Sequence, residues 1–239
     1  MAKELKYKMI ENYILKKIDS GEYKIGEQIP TEYELCEQFH VGRMTVNKAL
    51  NNLERRNLIR RISGKGSFVM RRVSRSVTAL GSFTMDMERA GMKASSKLLE
   101  FRIAKGRDFP EEAYELGIKP EDDVLFFRRI RYGDNITIAF SETFLVETCF
   151  PDFNPAVLDG SLDKYMISKG YTTDEFIISI EAIAAQKEHK AYLGLSLNEE
   201  KPLLKSTTKR YFHGKPYEYT RTYYISDHFE YTFSGGIEK

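Results

Sequence analysis

The 239-residue sequence has no tryptophan, only two cysteines, four histidines and no long apolar run. A membrane-spanning helix needs about 18–20 consecutive apolar residues, so none is expected. The opening stretch, MAKELKYKMIENY, is charged and lacks the apolar core of a secretory signal, so the expected location is the cytoplasm. Cys36 and Cys149 stand in different segments, without CxxC spacing or a neighbouring histidine pair. In a reducing compartment they read as small buried side chains, not as a disulfide or a metal site. His40, His189, His213 and His228 are scattered and offer no ligand spacing, so neither a metal nor another cofactor is expected. No Ser-His-Asp, Cys-His or paired-carboxylate arrangement is visible, which argues against an enzyme.

Hydrophobic residues make up 41% of the chain and charged residues 30%, the balance of a globular protein. The length suits one large domain or two modest ones. The net charge of +2 conceals an asymmetry. Residues 1–75 carry 16 Lys and Arg against 9 Asp and Glu, a net of +7, whereas residues 76–239 carry 21 against 26, a net of −5. A basic first third on an acidic remainder points to an anionic polymer as partner of the first part alone.

That first part reads as helices. Ile10, Ile14, Leu15 and Ile18 recur at helical spacing, and Gly21 and Gly26 break the pattern. Thr31 followed three residues later by Glu34 is a capping box, so a second helix starts there, buries Leu35 and Phe39, and ends near His40. After the Val41-Gly42 turn, a third helix places Val46, Leu50 and Leu53 inward and closes at Arg55-Arg56-Asn57. Leu58–Ile62 and Gly66–Val69 read as two strands of a hairpin whose tip, Ser63-Gly64-Lys65-Gly66, is glycine-rich and basic. Two helices joined by a short turn and followed by a hairpin make a winged helix-turn-helix over residues 1–70.

Residues 71–78, RRVSRSVT, read as a linker. Beyond it, alternating β-branched and aromatic segments at 97–103, 124–132, 137–146, 176–184, 203–212 and 218–225 predict strands. Helical stretches at 82–90, 110–116, 161–169 and 187–193 lie between them. Residues 79–239 therefore form an α+β domain with an antiparallel sheet. The 15 Tyr and 15 Phe read mostly as core and sheet packing, with some free to line a ligand pocket.

The second helix of a helix-turn-helix is narrow enough to enter the major groove of DNA. Here its first turn points Val46 and Ala49 inward and leaves Arg43, Thr45, Asn47 and Lys48 outward. Arg reads guanine through two hydrogen bonds, Asn pairs with adenine, and Thr and Lys suit phosphates. The glycine tip of the wing lets backbone approach DNA, with Lys65 beside it. Arg55, Arg56, Arg60 and Arg61 read as solvated, because phosphate and solvent contacts outnumber base contacts. In the second domain Arg129 and Arg131 are two apart on a strand and share one face. Two guanidiniums there repel unless an anion bridges them or one pairs with an acidic neighbour. Ser82, Phe83 and Thr84 at a helix start offer hydroxyls and N–H groups to the same anion.

The residues Tyr7, Gly26, Pro30-Thr31-Glu32-x-x-Leu35, Arg43-x-Thr45-Val46-x-Lys48-Ala49-Leu50, Leu53, Leu58-Ile59 and Gly64-x-Gly66-Ser67-Phe68-Val69 resemble the GntR family of bacterial regulators over about residues 5–70. The resemblance implies that Arg43 and Asn47 contact bases. Thr31, Glu32, Thr45 and Lys48 would sit at the DNA backbone, Gly66 at the minor groove, with Tyr7 in the same set. Gly42 stands in place of the usual Ser, Asn47 in place of Arg, and Asn57 in place of a common Gly. Residues 79–235 resemble the effector-binding UTRA domain of the HutC subfamily, whose fold is similar to chorismate lyase. The matching pieces are Ser82-Phe83-Thr84-x-Asp86-Met87-x-x-x-Gly91, Arg129-x-Arg131, Ala191-x-Leu193-Gly194-Leu195, Glu218 and Tyr224. In members that sense phosphorylated amino sugars, the positions of Arg129, Arg131, Ser161 and Thr84 hold the phosphate, and those of Glu218 and Tyr224 touch the sugar. Ser141 stands where those members place Glu, and Asp163 where they place Tyr, so the sugar-facing wall differs.

The resemblance implies a repressor that acts as a homodimer held mainly through its C-terminal domains. It would bind a palindromic double-stranded operator and respond to a small anionic effector, such as a sugar phosphate. Two alternatives stay open at this point. One is an enzyme, since the sensor fold resembles a lyase; the other is an architectural DNA-binding protein with no effector.

Overall fold

The computed structural model describes residues 5–24, 26–56, 58–70, 73–77, 81–198 and 200–233. The chain divides into two compact units, Met1–Ser74 and Arg75–Lys239. In the first, α1 (Lys6–Asp19) buries Ile10, Ile14 and Ile18, which at a spacing of four fall on one stripe. Helix α2 (Glu32–Phe39) starts with the expected capping box. The Thr31 hydroxyl accepts from the Glu34 N–H, and the Glu34 carboxylate accepts from the Thr31 N–H at 2.7 Å. It ends at His40, which adopts a left-handed φ of 48°. Leu35 is fully buried, but Phe39 is half-buried against the core.

Helix α3 (Arg43–Arg55) turns Val46, Ala49, Leu50 and Leu53 into the same core. Gly42 precedes it without a side-chain cap. Strands β1 (Ile59–Ile62) and β2 (Gly66–Val69) form the antiparallel wing, with Leu58, Ile59 and Val69 closing the core beneath it. Gly66 has φ +112°, and a Cβ there would meet the Gln28 amide nitrogen at 2.4 Å. The positive φ is why the position takes glycine, since the end of the Gln28 side chain could move aside. Asn57 lies outside the described residues.

The second unit is built on one six-stranded sheet, with a separate two-stranded pairing of β10 with β3, which spans the boundary between the units. Its elements in order are β3 (Val73–Ser76), α4 (Phe83–Arg89), β4 (Ala94–Lys105), α5 (Pro110–Leu116), β5 (Asp123–Gly133), β6 (Ile136–Val146), α6 (Leu162–Ser168), β7 (Glu175–Ala184), α7 (Lys187–Leu193), β8 (Pro202–Phe212), β9 (Lys215–Ile225) and β10 (Phe229–Thr232). The antiparallel sheet runs β4-β5-β6-β9-β8-β7. Two of its hairpins close through two-residue loops, Asp134-Asn135 and His213-Gly214, with φ positive at both positions. That geometry matches the twist of the flanking strands.

One face of the sheet packs an aromatic cluster of Phe109, Phe126, Phe144 and Tyr219, and the other packs Phe127, Phe150, Phe153, Tyr165 and Tyr217. Strands β5 and β6 are buried on both faces, which explains their nearly continuous apolar sequence.

The segment read as a linker differs. Within 71–78, residues 73–76 form β3, which pairs with β10, while residues 71, 72 and 78 lie outside the described residues. The cause is local burial: Val73 is fully buried and Arg75 is held by Asp86. Cys36 and Cys149 are free thiols, half-buried at the margins of their cores and not fully inside as expected. Among the described residues no helix is long and apolar enough to cross a membrane.

Burial gives this unit a pH dependence. His189 and His228 both titrate below the ordinary histidine value, because desolvation disfavours their charged form. The unfolded chain therefore binds more protons than the folded one as pH falls through about 6.5. Stability is fully present above that pH and is lost below it. The urea midpoint is expected to drop between pH 7.5 and 5.5, and the His189→Gln/His228→Gln variant to show a flatter dependence. An equal drop in that variant would remove these histidines as the cause.

Candidate DNA-reading face and anion cavity

On the first unit, α3 presents Arg43, Met44 and Lys48 to solvent, and the Arg43 side chain is 81% exposed. Thr45 is half-buried on the same turn, while Thr31 and Lys65 are exposed. The Lys48 ammonium lies 4.3 Å from the ring centre of Tyr7, so α1 and α3 meet through a cation–π contact.

The centre of this face is Glu32, in the first turn of α2. Its carboxylate accepts from Arg43 Nε at 2.9 Å and from the Asn47 amide nitrogen at 3.2 Å, and it pairs with Arg61. The Arg43 bond is the chief reason that Glu32 titrates below an ordinary carboxylate. Arg61 also donates to the Asn47 amide oxygen at 2.7 Å and to Asn51.

Two sequence expectations change here. Arg61 is not a solvated wing residue but a tie from β1 to α2 and α3. Asn47 has both ends of its amide engaged inside the protein, so it does not stand free for adenine as its place on the turn suggested. No local signal marks Arg61, because its partner Glu32 lies 29 residues away.

In the second unit a cavity of about 70 Å³ lies on the sheet face carrying α6. Its floor follows from strand register. Arg129 pairs across with Ser141, Ser141 with Thr222, and Thr222 with Ser206. One row on, Thr143 pairs with Thr220 and Thr220 with Thr208. Side chains at these positions share a face, so the strands lay down a grid of hydroxyls ending at Arg129. Arg131, two residues on, lines the same cavity, as the period-two argument required.

Phe83, Ser141, Asp163, Glu218 and Tyr224 of the expected set also line it. Ser82, Thr84 and Ser161 do not. The hydroxyls of Ser82 and Ser161 accept from the Met85 and Lys164 N–H groups as helix caps, and Thr84 is half-buried outside the lining. The seven-residue α4 therefore contributes Phe83 and not the hydroxyls expected of it. Arg75, Arg210 and the threonine grid were missed. The threonine grid had a signal in the period-two polar stripe Glu218, Thr220, Thr222, Tyr224 on β9, whereas Arg75 and Arg210 had none.

The charges in the cavity are unevenly paired. Arg210 is bound to Asp163 and lies 3.5 Å from Glu218. Arg75 is bound to Asp86. Among the described residues, Arg129 and Arg131 have no carboxylate partner. Arg129 has one long contact, 3.5 Å, to the Leu158 carbonyl, and Arg131 stacks on Phe83 at 4.4 Å. Burial, and then the neighbouring Arg131 charge, pulls the Arg129 pKa well down. Burial pulls that of Arg131 down to about 10.

Of the four guanidiniums that line the cavity, Arg129 and Arg131 are thus buried with no carboxylate at ion-pair distance among the described residues. The Nε atoms of Arg129, Arg131 and Arg210, the Ser141 hydroxyl and Glu218 Oε2 are buried without a hydrogen-bond partner. The Thr220 hydroxyl donates to Glu218 Oε1 at 2.8 Å and lies 3.1 Å from that of Thr143. Donors without a hydrogen-bond partner thus lie at one end of the space, and at the other a carboxylate oxygen whose one neighbour is Arg210 at 3.5 Å.

Comparison with known proteins finds a family match in each part of the chain. Residues 6–69 match the family described as bacterial regulatory proteins, gntR family, and residues 89–230 match the UTRA domain. The chain is 29% identical over 229 residues to the mannosyl-D-glycerate transport/metabolism system repressor MngR of Escherichia coli K12, covering 95% of this chain and 94% of that protein. It is 28% identical to the HTH-type transcriptional repressor NagR of Bacillus subtilis, covering 95% and 92%. In fold it is similar to PhnF from Mycobacterium smegmatis, with a TM-score of 0.74 at 23% identity, covering 94% of this chain and 98% of that one.

Proposed function

The chain belongs to the UTRA-domain proteins and carries a gntR-type region over residues 6–69, and we infer that it is a DNA-binding transcription regulator. We propose that it is a cytoplasmic repressor whose affinity for a palindromic operator is set by a small polyhydroxylated anion in the second unit. The observation that carries this reading is the pair Arg129 and Arg131, buried together without a carboxylate partner among the described residues. A buried unpaired charge is costly, and a phosphate or carboxylate relieves it through paired hydrogen bonds.

The hydroxyl grid and Glu218 suit the remainder of a sugar or polyol, since each hydroxyl can donate or accept. A relative named for mannosyl-D-glycerate, a sugar carrying a carboxylate, fits the same chemistry. The 70 Å³ space accommodates an anionic group alone, whereas ligand pockets run to about 300 Å³ and more. Binding of a whole sugar acid therefore includes opening of the lining.

On DNA, Arg43 reads a base from the first turn of α3, with Thr45 and Lys48 at phosphates and Lys65 and Gly66 at the wing. Thr31 and Tyr7 support the approach. A homodimer presents two such faces to two half-sites. Calorimetric titration of the full chain with glucose 6-phosphate, fructose 6-phosphate and mannosyl-D-glycerate, beside the neutral parent sugars, tests the effector half. At least one anion is expected to bind and the neutral sugars are not. Binding of none of the anions, or equal binding of a neutral sugar, would overturn it.

A further inference from the structure

Arg75 occupies a place that no other cavity residue shares. It lines the cavity with Arg129 and Arg131, and it is the first residue of the second unit, next in the chain to Ser74, where the DNA-binding unit ends. Its side chain is 11% exposed. It lies against three aromatic rings, Tyr224, Phe229 and Tyr231, at 5.4–5.8 Å.

Its carboxylate partner, Asp86 in α4, is completely buried. The pairing between them is incomplete. Both Nε, at 2.7 Å, and a terminal nitrogen of Arg75 donate to the same oxygen, Oδ2. The other carboxylate oxygen, Oδ1, has no hydrogen bond and only a 3.9 Å ion pair with the half-exposed Arg89, and the remaining Arg75 nitrogen makes only a 3.4 Å contact to the Tyr231 hydroxyl. A fork that could engage a carboxylate with two parallel bonds thus spends both on one oxygen, leaving donors toward the cavity. Backbone and side chain are linked as well: the Thr232 hydroxyl donates to the Arg75 carbonyl at 3.4 Å, and the Val77 N–H donates to the Thr232 carbonyl at 3.0 Å. Arg75 therefore joins the cavity, through its guanidinium, to the β3–β10 pairing, through its backbone.

We propose that Arg75 is a further anion-holding residue of this cavity and the positioning residue that passes occupancy to the chain entering the DNA-binding unit, with Asp86 as its internal competitor. The inference rests on the anion reading above. An anion seated beside Arg131 offers Arg75 a second negative partner, and the guanidinium divides between it and Asp86. In the free protein Asp86 holds Arg75, and with it β3, in one arrangement. With the anion bound that hold is released. A ligand shifts an equilibrium only by its differential affinity for the two arrangements, and the exchange of partners at Arg75 supplies that difference.

The test uses the full chain, a duplex operator recovered by selection from random DNA, and mannosyl-D-glycerate and glucose 6-phosphate as probes. Asp86 does not line the cavity, so Asp86→Asn removes the competitor and leaves the lining intact. It is expected to bind a probe more tightly, by about threefold or more. Its probe-free operator affinity should already be shifted toward the probe-bound value of the natural protein, by about fivefold or more. Arg75→Lys keeps a charge but loses the fork, so it should bind the probe more weakly and show a smaller operator response.

A purely structural role for the pair predicts that both variants weaken probe binding alike, and that outcome would overturn the proposal. If neither probe binds even the natural protein, the anion reading fails. The positioning role is then decided by the probe-free operator affinity, and an unchanged value in Asp86→Asn overturns it separately.

Discussion

With Arg129 and Arg131 both changed to methionine, the protein is expected to become more resistant to urea and to lose its anion binding. The two effects have one cause. In the free protein these guanidiniums are 3% and 7% exposed, lie on one strand face, and lack carboxylate partners among the described residues. Buried charge without compensation costs more than it returns, and apolar side chains of similar volume in such places are often stabilising by about 1–4 kcal/mol. Methionine fills the same length, and the flanking Phe83 and Phe127 already present apolar surface to it.

Binding moves the other way. Hydrogen bonds to a charged group contribute roughly 1.5–3 kcal/mol each, so losing the pair should lower affinity for an anionic probe by at least about 100-fold. Urea unfolding and calorimetry on the same samples check both signs. A variant that is less stable and still binds the anion would mean that the arginines are structural ties.

Changing Arg43 to alanine is expected to weaken operator binding by about 1–3 kcal/mol, roughly 5- to 150-fold, and to relax preference at one base pair in each half-site. Affinity for unrelated duplex should fall only by the share of one charge. Arg43 is an exposed cation at the start of α3, and its Nε is already oriented by Glu32. Glu32→Gln sharpens the argument: it removes a negative charge that also holds Arg61. Binding to unrelated DNA should rise while discrimination falls. Titrations by fluorescence anisotropy with operator and scrambled duplex separate the two. Equal losses on both DNAs in Arg43→Ala would mark the residue as a phosphate contact.

Much of this was legible from short-range pattern. Thr31 and Glu34 announced α2 because a capping box is complete within four residues. The inward set of α3 followed from helical spacing, and the shared face of Arg129 and Arg131 from the period of a strand. What escaped depends on partners distant in sequence. Arg61 reaches Glu32 across 29 residues and Arg210 reaches Asp163 across 47. Strand β3 exists because β10, near the other end of the unit, pairs with it.

Residue type also misled where one group had two uses. Ser82 and Ser161 could have faced a ligand, but their hydroxyls cap helices, a local bond requiring no tertiary partner. The outward position of Asn47 on α3 was right, yet its amide is turned onto Glu32 and Arg61.

The central claim is that an anion held at Arg129 and Arg131 changes the grip of α3 on DNA. The most direct measurement is operator binding by anisotropy at fixed ionic strength, with and without saturating amounts of a sugar phosphate or sugar acid that calorimetry shows to bind. The account predicts a shift in operator affinity of about fivefold or more in the natural protein and none in the double methionine variant. An operator affinity unmoved by an anion that demonstrably occupies the cavity would contradict it.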